Sequence, residues 1–160
     1  MTGIPRAVYL AGDYARKYEL LKYETQLERA GWESTTRWLR QPDLAGEGAG
    51  NPGIGTGGVD GEQHAEWARE FAAQDLEDIA AADLLVGFTT GEKTRGGRHT
   101  ETGAALALGK PVLLVGPRET VFHWHPLVIA ALDNWPAALA VLHSVKREPK
   151  LWIKQHAGID

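Results

Sequence analysis

The chain has 160 residues, 17 Lys+Arg against 21 Asp+Glu, a net charge of −4 and no cysteine. Zero cysteine excludes disulfide frameworks, thiolate metal sites, thiol nucleophiles and iron–sulfur clusters. The mild negative charge gives no global pull toward a nucleic-acid polymer or an anionic membrane, and the length fits one domain over residues 1–160.

The opening Met1-Thr-Gly-Ile-Pro-Arg6 lacks the charged, apolar and cleavage regions of a signal peptide. The longest apolar run, near Pro111–Gly116, is far short of the ~20 residues of a membrane span. A soluble cytoplasmic protein is therefore expected. Ala7–Ala11 reads as a buried strand stopped by Gly12. Arg16–Ala30 has helical spacing at Leu20, Leu21, Glu24 and Leu27, with Gly31 placed to end it. Glu33–Trp38 reads as a second strand with one wet face. Gln41–Gly61 is glycine-rich with almost no apolar period, which predicts a loop, either a lid or a disordered insert.

Helical pattern returns over Glu62–Ala82, with a stripe at Ala65, Ala68, Ala72, Leu76 and Ile79 and with Trp67 and Phe71 beside it. Leu84–Thr89 is a third strand and Thr90–Arg98 a loop. His99–Leu108 is an Ala-rich helix closed by Gly109 and Lys110-Pro111. Pro111–Val115 and Leu127–Leu132 supply two more strands, and Asp133 is placed to cap a last helix through His143. Alternating strands and helices predict an α/β fold, a parallel sheet covered on both faces. Ligands then bind beyond the carboxyl ends of the strands. That directs attention to Gly12–Arg16, Thr89–Glu101 and Gly116–His125.

Three motifs fail on context. Gly53-Ile-Gly55-Thr-Gly57-Gly58 has no strand before it, so a dinucleotide fingerprint is not supported. His99-Thr-Glu101 is half of a zinc-deaminase signature whose cysteine half is absent. His123-Trp-His125 has no evident third ligand, so no metal site is expected.

The informative segment is Arg95-Gly-Gly-Arg-His-Thr-Glu101-Thr-Gly103. It follows a strand and opens a helix, whose free N–H groups and positive end suit an anion. Gly96 and Gly97 allow close backbone approach, and Arg95 and Arg98 could add charge-assisted bonds to a phosphate. The bland alternatives are a solvated loop for the arginines and a helix-start acid for Glu101.

Four blocks in order then resemble the nucleoside 2-deoxyribosyltransferase family, including its nucleoside 5′-monophosphate N-glycosidase relatives. They are Val8-Tyr-Leu-Ala-Gly12 with Arg16 and Glu19, Asp75-Leu-Glu-Asp-Ile79 with Ala82-Asp83, Gly96–Gly103 leading to Ala107–Pro111, and Val115-Gly-Pro-Arg-Glu119 with Phe122-His123. The resemblance runs from Val8 to about His143. It implies a flavodoxin-like, Rossmann-like fold with a five-stranded parallel sheet and helices on both faces. It also implies cleavage of a base–sugar N-glycosidic bond, with no cofactor.

By the same resemblance Glu101 inherits the role of nucleophile, forming a covalent sugar ester that a second base or water resolves. Asp75 matches an aspartate that holds or protonates the base, and Tyr9 a tyrosine near the nucleophile. Gly12, Asp13, Tyr14 and Arg16 match a loop beside the sugar or phosphate. Arg95 and Gly97 match phosphate-binding positions. Trp38 could stack a base, because every base offers a π face. Phe122 and His123 match a loop that relatives bring in from a neighbouring subunit, so a homo-oligomer, dimer or higher, with shared sites is expected. The family name favours transferase, Arg95 and Arg98 favour a nucleotide hydrolase without transfer, and the two stand nearly balanced. A non-catalytic nucleotide-binding module is the alternative of another class, and an oxidoreductase reading rests on the decoy glycines alone.

Overall fold

The computed structural model describes residues 5–41, 65–89 and 97–148. The strands β1 (Ala7–Ala11), β2 (Glu33–Ser34), β3 (Leu84–Phe88), β4 (Val112–Val115) and β5 (Val128–Leu132) form one sheet in the order β2-β1-β3-β4-β5. Every pairing is parallel. This is the flavodoxin-like order, with its switch point between β1 and β3. β3 and β4 are buried along their whole length, as a parallel sheet covered on both sides requires of its apolar runs.

Among the described residues four α-helices cover the sheet: α1 (Lys17–Arg29), α2 (Ala65–Ala81), α3 (Gly97–Ala107) and α4 (Trp135–Arg147). Tyr23 of α1 stacks on Trp135 of α4 at 4.6 Å and on Phe88 of β3 at 5.6 Å, so α1 and α4 share a face. The helices α2 and α3 pack against each other. Gly87 of β3 lets α3 come close: a Cβ there would lie 3.2 Å from a Leu114 methyl and 3.5 Å from the Thr102 hydroxyl.

The second strand is shorter than its sequence suggests. It ends at Ser34, and Arg37–Arg40 winds into a 3-10 turn. Side chains replace the ladder there: the Leu10 N–H donates to Thr36 Oγ1 at 2.8 Å, and Trp38 Nε1–H donates to the Leu10 carbonyl at 3.2 Å. The last helix is capped by Asn134, not Asp133, through a 3.0 Å bond from the Ala137 N–H to Asn134 Oδ1. It runs past His143 to Arg147 because Ala138, Leu142 and Val145 continue one buried stripe. The helix α3 starts at Gly97, two residues earlier than expected, so Arg98 lies in its first turn.

The inward face of α2 also differs from its predicted stripe. Ala72 and Leu76 are exposed, while Asp78, Ile79 and Ala82 are buried and Phe71 and Asp75 half-buried. Two carboxylates occupy positions that a hydrophobic pattern reads as solvent-facing. No helix among the described residues is long and apolar enough to cross a membrane. The glycine-rich stretch after Gln41 and the predicted phosphate residue Arg95 lie outside the described residues.

Candidate active site

Tyr9 stands in the middle of β1, beside the switch point, and is fully buried. Its hydroxyl donates to Glu101 Oε1 at 2.6 Å. Glu101 projects from α3 and Asp75 from α2, so three acidic groups from three elements meet at the interior strand β1. Asp75 Oδ1 is buried and has no hydrogen-bond partner among the described residues.

The cluster is electrostatically expensive, and each member shows it. Burial pushes the Glu101 carboxyl up to about 8; the Tyr9 bond pulls it down and the Asp75 charge adds to the rise. Burial raises Asp75 to about 6, with the Asp78 charge adding to it and Tyr9 and Arg37 opposing. Tyr9 is driven far above the ordinary phenol range by burial first, then by the charges of Glu101 and Asp75. Between pH 6 and 8 the carboxyl pair therefore holds about one proton as a shared quantity. Perturbed acids gathered at one point suit proton transfer and nucleophilic attack.

The other expected site residues take varied places. Gly12 and Asp13 form the β1 exit, where Asp13 Oδ1 accepts from the Ala15 N–H at 2.9 Å and caps a short 3-10 turn. Arg16 makes two bonds to Glu19, 2.7 and 2.8 Å, and lies 5.3 Å over the Phe88 ring. Tyr14 is 6.1 Å from Trp38, ring to ring. Trp38 itself is 5% exposed and belongs to the core, so it presents no open face here. Gly97 is exposed at the start of α3.

Arg98 is not a solvated loop residue. It is 4% exposed, and its Nη2 bonds both Glu119 oxygens at 2.7 and 2.8 Å. That pairing neutralises the charge expected to meet a phosphate. His123 is fully buried nearby; its Nδ1 accepts from the Glu119 N–H at 3.0 Å, which places the ring proton on Nε2. Burial and the neighbouring His99 depress its pKa. The sequence places Glu119 in a family-like block but assigns it no role; in the structure it organises this second cluster from the β4 exit. Its position in a strand-exit loop facing a helix start was the available signal. Among the described residues no group of His, Asp and Glu is arranged to hold a metal ion.

Residues 8–135 match the nucleoside 2-deoxyribosyltransferase family profile. The fold is shared with solved structures. A 2-deoxyribosyltransferase from Bacillus psychrosaccharolyticus superposes with a TM-score of 0.59 at 23% identity, over 83% of this chain and 90% of that one. The CMP N-glycosidase BcmB from Clostridium botulinum gives 0.53 at 19% identity, over 86% and 98%. A conserved protein from Enterococcus faecalis V583 gives 0.54 at 15%, over 90% and 99%. Curated proteins give no match. With four-fifths of its length under the profile and the acidic triad at the switch point, the chain belongs to the nucleoside 2-deoxyribosyltransferase family.

Proposed function

We propose that this protein cleaves the N-glycosidic bond of a (deoxy)nucleoside or its 5′-monophosphate through a sugar ester on Glu101. The observation that carries the proposal is the 2.6 Å bond from Tyr9 to Glu101, with Asp75 against the same hydroxyl. An ionised Glu101 oxygen attacks C1′ as the C1′–N bond breaks, and that bond's electron pair leaves on the base. Asp75 supplies the proton that the departing base takes up. Tyr9 favours the attacking form of Glu101, because its hydrogen bond stabilises that carboxylate. Water or a second base nitrogen then attacks C1′, Glu101 leaves as carboxylate, and the proton of the incoming group returns to Asp75.

Transfer and hydrolysis share this first half. The relatives include a 2-deoxyribosyltransferase and a CMP N-glycosidase, and the acceptor decides between the two outcomes. Pairing of Arg98 with Glu119 weakens the case for a 5′-phosphate requirement. Gly12, Asp13, Tyr14 and Arg16 are the proposed sugar side, at the β1 exit. The protein is further proposed to work in the cytoplasm as a homo-oligomer, with Phe122 and its neighbours facing a second subunit.

Chromatography of reactions with each common deoxynucleoside and its monophosphate, with and without adenine, tests the reading. Free base without acceptor marks a hydrolase; new nucleoside only with acceptor marks a transferase. Glu101→Gln should lose at least about a thousandfold in kcat, since covalent catalysis ends with its nucleophile. A loss of only a few-fold refutes the assignment. Tight nucleotide binding without turnover would support the non-catalytic module instead.

A further inference from the structure

The cluster around Glu119 is unused by the reaction just described, yet it grips the turn of α3 that leads into Glu101. We propose that Glu119 is a positioning residue, holding the first turn of α3 so that Glu101 stays at bonding distance from Tyr9. The inference rests on the reading of Glu101 as nucleophile.

The geometry is a chain of contacts from a rigid strand to the reacting carboxylate. β4 ends at Val115, and the loop after it folds on itself: the Glu119 N–H donates to His123 Nδ1 at 3.0 Å, and the Arg118 guanidinium donates to the His123 carbonyl. From that braced loop the Glu119 carboxylate takes Arg98 in a two-oxygen bond of 2.7 and 2.8 Å, and stands 3.5 Å from His99 Nε2. Both partners belong to the first turn of α3. Thr102 Oγ1 donates to the Arg98 carbonyl at 2.7 Å, which ties that turn to the next, where Glu101 sits. Arg98 and Glu101 are three residues apart, so they are neighbours on the helix surface.

Arg98 depends on this partner. Its Nε and Nη1 are buried and have no hydrogen-bond partner among the described residues, so Glu119 carries its compensation. Removing one member of a buried pair leaves an uncompensated charge. The helix start must then shift to bring Arg98 to water. A shift of that kind moves Glu101 relative to Tyr9, which is anchored in the sheet. Among the described residues Glu119 makes no hydrogen bond to Tyr9 or Glu101, so its effect on them runs through the first turn of α3.

Glu119→Ala and Glu119→Gln test this, read by base release and by a carboxyl-carbon NMR titration of Glu101. The second readout needs no turnover. Loss of the Tyr9 bond removes a contact that favours the charged carboxylate, so the Glu101 midpoint should rise in Glu119→Ala. In the same variant kcat should fall about 10- to 100-fold with KM within about threefold, and Glu119→Gln should lose less, about three- to tenfold. If Glu119→Ala does not fold, Glu119→Gln decides by the same two readouts. An unmoved midpoint with kcat within about twofold of wild type in a folded variant overturns the inference, as does a loss confined to KM. A normal Glu119→Ala beside an inactive Glu101→Gln overturns this inference alone. An active Glu101→Gln overturns the nucleophile reading beneath it.

Discussion

Glu101 is an acid held where water solvates its charge poorly, and its bond to Tyr9 is what keeps the charged form within reach. The two effects have opposite signs and can be separated. A carboxyl-carbon NMR titration should place Glu101 near pH 8 in the free protein. Asp75→Asn should lower that midpoint by removing a like charge, and Tyr9→Phe should raise it by removing a donor. A midpoint near 4.5 in wild type would mean that the cluster is open to water.

Stability follows from the same shift. The folded pKa of Glu101, about 8, lies above its ordinary 4.5, so the folded state holds more protons in that window. Stability is therefore lost as pH rises from 4.5 through 8, and Asp75 acts in the same direction between 3.8 and about 6. Glu19 acts oppositely: the Arg16 bond lowers it to about 2, so its contribution is present above 4.5 and lost as pH falls toward 2. Thermal melts of Glu101→Gln should thus lie above wild type at pH 9 and coincide with it near pH 4. The reverse order would contradict the burial argument.

At the scale of elements, the site depends on how closely the ends of β3 and β4 approach. Gly116 has φ of +116°, and a Cβ on it would fall 2.0 Å from the Thr89 carbonyl oxygen. Thr89 Oγ1 also donates to the Pro117 carbonyl at 2.7 Å, locking the two exits together. Gly116→Ala should destabilise by about 3 kcal/mol, roughly 6–12 °C in Tm at this size. A melt within 2 °C of wild type would show that the exits yield cheaply.

Element order was legible because each strand is a short apolar run with a stop after it, and each crossover has helical spacing. Two elements were misread for one physical reason: side chains did work that backbone or apolar groups usually do. Thr36 and Trp38 took over the β1 edge from the second strand, and Asp75 and Asp78 occupied the inward face of α2. The site was legible only through the family resemblance. Periodicity puts Glu101 on a helix, but nothing in spacing pairs it with Tyr9, 92 positions earlier. The Arg98–Glu119 pair, 21 positions apart, is signalled only by Glu119 standing in a strand-exit loop that faces a helix start.

For the molecule as a whole, one surface stands out. Val121, Phe122 and Trp124 are 78%, 65% and 72% exposed on a single 3-10 turn next to Glu119. Neighbouring exposed apolar side chains favour contact with another protein surface. The proposed homo-oligomer should therefore sediment as a dimer or larger, and Trp124→Glu should shift it toward monomer and reduce turnover. A wild-type monomer with full activity would remove the shared-site proposal while leaving the chemistry of Glu101 standing.

That chemistry is tested most directly by catching the intermediate. A 2-deoxy-2-fluoro nucleoside slows breakdown of the sugar ester, since fluorine withdraws electrons from the oxocarbenium-like centre. Intact mass spectrometry after incubation should show one added fluorosugar, peptide mapping should place it on Glu101, and Glu101→Gln should take none. Base release with no adduct at any time, or an adduct on another residue, would contradict the mechanism.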